Sequence, residues 1–160
     1  ERLGLSIQYS QESEPLSTIG PLSLISNLPE NFLAVNGDII TDLDFRSVYD
    51  THIKNKAQLT VVTCKRSHKM DYGVFETDAQ GRVTNFTEKP EFSFVVSSGM
   101  YVFNRSLLSL IPKQQRFGFD DLVFACLKQR IPIQTYPFEG YWLDIGRPDD
   151  YEQAQKDKLK

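Results

Sequence analysis

A continuous apolar run, a helical pattern and a β-branched run in succession constrain this chain more than any other feature. Phe32-Leu33-Ala34-Val35 runs without polar alternation into Asn36-Gly37-Asp38, and Leu59-Thr60-Val61-Val62-Thr63-Cys64 follows further on. The first reads as a strand buried on both faces with its loop at the carboxyl end, and the second as the next strand. Between them Asp44 can cap a helix over Phe45 to Lys56, with Phe45, Val48, Tyr49 and Ile53 on one face. Strand, helix and strand with short connections make a βαβ unit, which implies a parallel sheet. The chain therefore belongs in the α/β class.

The remaining sequence extends that alternation. Leu5 to Tyr9 suits a short strand, and Pro21 to Leu28 a short helix closed by Pro29. Tyr72 to Thr77 and Arg82 to Thr87 flank Asp78-Ala79-Gln80-Gly81, a hairpin signal because Gly81 can take positive φ. Phe94 to Val96 and Met100 to Phe103 predict a strand interrupted at Ser97-Ser98-Gly99. Helices are expected at Ser106 to Ile111, Asp120 to Arg130 and Pro148 to Lys158, and strands at Ile133 to Phe138 and Tyr141 to Leu143. Trp142, Phe117, Phe119 and Phe124 read as core. No repeat or Gly/Pro/Ser linker divides the chain, so one domain over residues 1–160 is expected.

Charge narrows the partners. With 18 Lys and Arg against 21 Asp and Glu, the net charge is −3, and the two signs are interspersed. That provides no basic face for a nucleic acid. A phosphate ligand would need local cations, a helix N-terminus or a metal. No apolar run approaches the ~20 residues that cross a bilayer, and the start has no basic-then-apolar leader, so neither membrane nor secretion is expected and the cytoplasm is the default. Two cysteines, Cys64 and Cys126, fall in apolar patterns and read as buried free thiols. His52 and His68 have no nucleophile at a telling spacing and are placed on the surface without a role.

In open parallel sheets, ligands bind beyond the carboxyl ends of strands. Asp38, beside Gly37, stands at such an end. Asp144 repeats the arrangement at the end of another apolar run, beside Gly146. Two strand-end carboxylates can hold one Mg²⁺, an ion that takes few protein carboxylates and completes its shell with phosphates and water; the plainer reading of each is turn chemistry. Glu88-Lys89-Pro90 sets an acceptor suited to a sugar hydroxyl beside a point charge suited to a phosphate, with Pro90 forcing Lys89 extended. As a solvated surface pair the same residues would be unremarkable. Tyr72-Gly73 and Ser98-Gly99 put glycines inside strand patterns, where a ligand or another backbone often comes close.

The order of these segments resembles a known family. Glu14-Pro15-Leu16-Ser17-Thr18, Phe32 through Asp38, Tyr72-Gly73-Val74, Glu88-Lys89-Pro90, Ser98 through Phe103, and Tyr141 through Tyr151 are similar to the sugar-phosphate nucleotidyltransferases that make NDP-sugars, nearest the mannose-1-phosphate guanylyltransferase and glucose-1-phosphate thymidylyltransferase branch. The resemblance implies a Rossmann-like three-layer α/β/α domain with a mostly parallel sheet and a β-hairpin. It also implies joining of a nucleoside triphosphate to a sugar 1-phosphate with release of pyrophosphate, and is compatible with a homo-oligomer without requiring one. By position, Asp38 and Asp144 would hold the catalytic Mg²⁺ and Lys89 would grip the sugar phosphate. Glu88 and the backbone at Gly73 would bind sugar hydroxyls, Gly37, Ser97, Ser98 and Gly99 would also line the substrate site, and Glu12, Ser17 and Thr18 would lie against the nucleobase.

Three departures stand out. The family's Gly-rich Gly-x-Gly-Thr-Arg-Leu loop and following lysine are not in these residues, so the resemblance implies the N-terminally incomplete, C-terminal portion of the domain, inactive alone. Ser17 replaces the usual glycine of the base pocket, and Ser97-Ser98 replaces the usual asparagine before Gly99. A non-catalytic relative that binds a sugar nucleotide, or a metal-dependent glycosyltransferase, are the alternatives.

Overall fold

The apolar run Phe32 to Val35, expected to be buried on both faces, is buried on one alone: Phe32 is 7% exposed, but Leu33 and Val35 are 38% and 44% exposed, because the described residues leave that side of them partly uncovered. In the computed structural model, which describes residues 4–146 and 148–157, β3 (Leu59–Lys69) is buried over its first six residues and exposed over the last five. β6 (Glu91–Asn104) mirrors it, with its first half exposed and Ser98 to Phe103 buried. Each strand is thus buried along one stretch and solvated along the other. The described residues divide into two compact units, the first holding residues 4–36, 44–61 and 100–136 and the second residues 37–43, 62–99, 137–146 and 148–157.

The first unit carries β1 (Asn31–Val35), α1 (Phe45–Lys54), α2 (Phe119–Lys128) and β7 (Ile133–Pro137), with short 3-10 helices at Gly20–Leu24 and Arg105–Leu110. The sheet order is β1-β6-β3-β7. β1 lies antiparallel to β6, from Asn31↔Asn104 to Val35↔Met100. The two strands of the expected βαβ unit are therefore not neighbours, because β6 intervenes. The core joins Phe32, Leu59, Val61, Tyr101, Phe103, Leu107, Leu122 and Cys126. Phe32 stacks on Phe103 at 5.5 Å and Tyr101 on Phe119 at 4.3 Å. α1 starts where the sequence places it, since the Asp44 carboxylate accepts the Arg46 N–H at 3.0 Å and the Ser47 hydroxyl at 2.6 Å. Cys64 and Cys126 are both buried free thiols, as expected.

The second unit carries β2 (Ile39–Thr41), β4 (Val74–Thr77), β5 (Val83–Thr87), β8 (Trp142–Asp144) and α3 (Pro148–Lys156). β4 and β5 pair antiparallel around the predicted turn. Gly81 takes φ +79° there, and the Asp78 carboxylate accepts the Gln80 and Arg82 amides. β2 and β8 form a separate ladder, Ile39↔Asp144 through Thr41↔Trp142.

Several expectations fail for identifiable reasons. Leu5 to Tyr9 forms no strand, for those side chains stand exposed with no ladder to join. Pro21 to Leu28 gives only the 3-10 turn Gly20–Leu24, and Ser106 to Ile111 another. β6 is not interrupted at Ser97-Ser98-Gly99: Gly99 absorbs a step at φ +77° and the strand continues. Phe124 points outward from α2, and the buried face of α1 is Val48 with His52, while Ile53 is exposed.

His52, placed on the surface by the sequence, is 1% exposed. Its Nδ1 lies 2.8 Å from Thr60 Oγ1 and its Nε2 3.1 Å from Asn31 Oδ1. Asn31 Oδ1 also accepts the Asn104 amide at 3.1 Å. The network fits a neutral imidazole that donates from Nε2 and accepts the Thr60 hydroxyl at Nδ1. Burial pushes its pKa down. Arg147 of the tail motif and Lys158, the expected helix end, lie outside the described residues.

Candidate functional site

The β2–β8 ladder sets the geometry of the carboxylate pair. Asp38 immediately precedes β2 and Asp144 ends β8, paired with Ile39. The Ile145 N–H donates to the Asp38 carbonyl at 2.9 Å, extending the ladder by one bond. Asp144 Oδ1 accepts the Gly146 N–H at 2.9 Å, which fixes one carboxylate oxygen and leaves the other unused by that bond. A Cβ on Gly146 would stand 3.0 Å from Asp144 Oδ1 and 3.4 Å from Asp38 Oδ2. The two carboxylates therefore converge on the space that the glycine leaves open. Chain neighbours aside, Gly37 has no atom within 4 Å of its Cβ position, so the turn before Asp38 is open on that side. Among the described residues no His, Cys, Asp or Glu makes this pair a cluster of three. Two carboxylates beside open space suit a hard cation that takes its remaining ligands from phosphate and water.

Gly73 and Glu88 are also brought together. A Cβ on Gly73 would fall 2.9 Å from Glu88 Oε2 and 2.5 Å from the Phe86 ring. Only glycine lets that backbone approach the carboxylate. Lys89 is not extended, as its place before Pro90 predicts, but sits at φ +46°. The Met70 N–H donates to the Pro90 carbonyl at 2.9 Å, closing the base of the β4–β5 excursion and forcing the turn just before it. Backbone held in this region costs about 1–3 kcal/mol and concentrates at functional sites. Among the described residues the one ion pair is Arg82 with Asp78. The Lys89 ammonium is thus uncommitted to any carboxylate there.

The 97–99 segment divides its roles. Ser98 is 1% exposed, and its hydroxyl donates to the Val62 carbonyl at 2.8 Å. That hydroxyl is spent on packing rather than offered to a ligand. Its carbonyl accepts the Trp142 indole N–H at 2.8 Å, and the Arg66 guanidinium lies 4.6 Å above the Trp142 ring. Trp142 and Asp144 alternate onto one face of β8. Trp142, assigned to the core by the sequence, is only half-buried and serves as a platform for Arg66. Nothing local in Tyr141-Trp142-Leu143 distinguishes a platform from a core tryptophan. Ser97 Oγ lies 3.5 Å from the Gly99 N–H.

Glu12, Ser17 and Thr18 lie in the first unit. Glu12 Oε2 accepts the Leu16 N–H at 2.7 Å, and Thr18 Oγ1 accepts the Phe119 N–H at 3.0 Å, so Thr18 caps α2. Ser17 takes φ +67°, which explains why glycine is the easier residue at this position. Thr18 also borders a cavity of about 340 Å³ with Ile19, Leu22, Phe32, Asn36 and Tyr101.

Residues 1–160 match the nucleotidyl transferase family from end to end. The chain belongs to that family. Its curated relatives among nucleotidyl transferases include mannose-1-phosphate guanylyltransferase catalytic subunit beta of Drosophila pseudoobscura pseudoobscura, 33% identical over 94% of this chain and 42% of that protein. Mannose-1-phosphate guanyltransferase of Yarrowia lipolytica is 33% identical over 94% of this chain and 43% of its own length. The chain thus spans less than half the length of these relatives. Among solved structures, HddC of Yersinia pseudotuberculosis complexed with GMP-PN superposes with a TM-score of 0.61 at 22% identity, covering 91% of this chain and 64% of that one. That likeness establishes the Rossmann-like α/β fold of this nucleotidyl transferase. Among the described residues no helix is long and apolar enough to cross a membrane.

Proposed function

We propose that this chain holds the metal and sugar-phosphate half of a sugar-1-phosphate nucleotidyltransferase site, whose reaction joins a nucleoside triphosphate to a sugar 1-phosphate. The observation that carries the reading is the convergence of Asp38 and Asp144 on the open space at Gly146. Two relatives named for mannose 1-phosphate and a guanyl group favour GTP and mannose 1-phosphate as substrates. The free thiols of Cys64 and Cys126 fit a reducing compartment such as the cytoplasm.

In the proposed reaction a phosphate oxygen of the sugar 1-phosphate attacks the α-phosphorus of the triphosphate. The new P–O bond forms as the bond to the β-phosphate breaks, and pyrophosphate leaves. Such a transfer needs positioning and charge neutralisation rather than a covalent intermediate. Asp38 and Asp144 would hold Mg²⁺, which when bound neutralises phosphate charge and orients the reacting oxygens. Lys89 supplies a point charge for the sugar phosphate. The Glu88 carboxylate accepts from sugar hydroxyls where the Gly73 backbone comes close, and Trp142 walls the same side of β8.

Calorimetry on the 160-residue chain, with mannose 1-phosphate or GDP-mannose in Mg²⁺ or in EDTA, tests this reading. Metal-dependent binding is expected, lost in Asp38→Asn and Asp144→Asn and weakened in Lys89→Met. Binding that is the same in EDTA, or unchanged in both aspartate variants, would overturn the assignment.

A further inference from the structure

We infer that Asp42 is a positioning residue for the carboxylate pair, acting as a clamp that fixes the register of the β2–β8 ladder. This rests on the metal role proposed for Asp38 and Asp144. The ladder has only three residue pairs, Ile39↔Asp144, Ile40↔Leu143 and Thr41↔Trp142. A slip of one residue would turn Asp144 to the opposite face. So short a ladder needs an anchor at each end. At one end the anchor is the Ile145 N–H on the Asp38 carbonyl, 2.9 Å. At the other end Asp42 makes two bonds to one residue.

The Asp42 N–H donates to the Tyr141 carbonyl at 3.2 Å, and Asp42 Oδ1 accepts the Tyr141 N–H at 2.8 Å. Both polar groups of the Tyr141 backbone are thus held by Asp42, a condition that one register alone satisfies. Gly140 makes room for the clamp. A Cβ there would sit 2.5 Å from Asp42 Oδ1 and 2.5 Å from the Phe138 ring. The Tyr141 hydroxyl donates to Asp157 Oδ2 at 2.8 Å, tying the same residue to the end of α3. Asp42 is exposed and carries no ion pair among the described residues. Its carboxylate has one visible task, and that task sets where Asp144 points.

The test measures Mn²⁺ affinity by calorimetry on the 160-residue chain, with amide hydrogen exchange at Ile145 read by NMR. Asp42→Ala is expected to weaken Mn²⁺ about tenfold, the scale of losing an outer-sphere partner, and to speed exchange at the Ile145 amide. Asp42→Asn keeps an Oδ1 acceptor and should restore both readouts to near wild type. Gly140→Ala should reproduce the alanine phenotype. Wild-type Mn²⁺ affinity and exchange in Asp42→Ala would overturn the clamp, as would an asparagine variant as impaired as the alanine one. Asp38→Ala serves as the separate control: if it leaves Mn²⁺ binding intact, the metal reading fails, and the Ile145 exchange contrast alone decides the clamp.

Discussion

Replacing Ser17 by glycine should stabilise the protein, although serine-to-glycine changes usually do the reverse. Ser17 is held at φ +67°, where a non-glycine residue pays about 1–2 kcal/mol. Its loop has no freedom to relax. Phe117 N–H donates to the Leu16 carbonyl at 3.0 Å, and the Phe117 carbonyl accepts the Ile19 and Gly20 amides at 3.1 and 2.9 Å. Leu16 and Ile19 on either side are 6% and 2% exposed. Ser17 itself is exposed, so removing its side chain loses little packing. Against the relieved strain stands the extra freedom of glycine in the unfolded chain, about 0.5–1 kcal/mol. The balance is a gain of about 0.5–1 kcal/mol, or roughly 1–4 °C in Tm for a chain of this size. Urea unfolding should show a raised midpoint at constant slope, and Ser17→Ala should stay within about 0.5 kcal/mol of wild type because it keeps the strain. A destabilised glycine variant, or an alanine variant stabilised equally, would refute the strain argument.

Three further outcomes follow from particular contacts. Gly146→Ala places a methyl 3.0 Å from Asp144 Oδ1 and 3.4 Å from Asp38 Oδ2; Mn²⁺ affinity by calorimetry should fall about tenfold, and an unchanged affinity would mean that the carboxylates do not share a ligand there. Burial lowers the His52 pKa from 6.5, so below about pH 6.5 the unfolded chain binds a proton that the native chain resists, and stability falls with pH by up to about 1.4 kcal/mol per unit until the native imidazole titrates. An NMR titration of His52 should show its midpoint below 6.5, and His52→Gln should lack that part of the acid slope; a midpoint at or above 6.5 contradicts the neutral network. Phe103, fully buried between Phe32 and Tyr101, should cost about 3–5 kcal/mol on truncation to alanine, measured by urea unfolding.

What the sequence made legible is what neighbours in sequence decide. The Asp44 cap, the Asp78–Gly81 hairpin and the strand runs at Leu59 and Met100 each rest on residues within a few positions of one another, and all appear where the pattern puts them. The order of motifs gave the family for the same reason, since order along the chain survives when single residues change. What stayed hidden depends on partners far away. That β6 lies between β1 and β3 is a choice among strands with equally apolar faces. His52 looked like a surface residue because its partners, Asn31 and Thr60, are 21 and 8 positions distant. Lys89 departs from the usual pre-proline conformation because Met70 captures the carbonyl of Pro90 from across the ribbon.

The carboxylate pair combines both kinds of information. Asp38 and Asp144 can be named from sequence because each follows an apolar run and neighbours a glycine. Their meeting cannot, because 106 positions of chain separate them and it takes the ladder pairing Ile39 with Asp144, extended by the Ile145 N–H on the Asp38 carbonyl, to join them. Side chains alternate faces along a strand, so a register off by one would leave both motifs intact in sequence while parting the carboxylates. Residue type thus supplies the carboxylates proposed as ligands, and the ladder brings them together. It follows that the most informative substitutions lie not only at the carboxylates but also at positions such as Asp42 and Gly140, where no motif points.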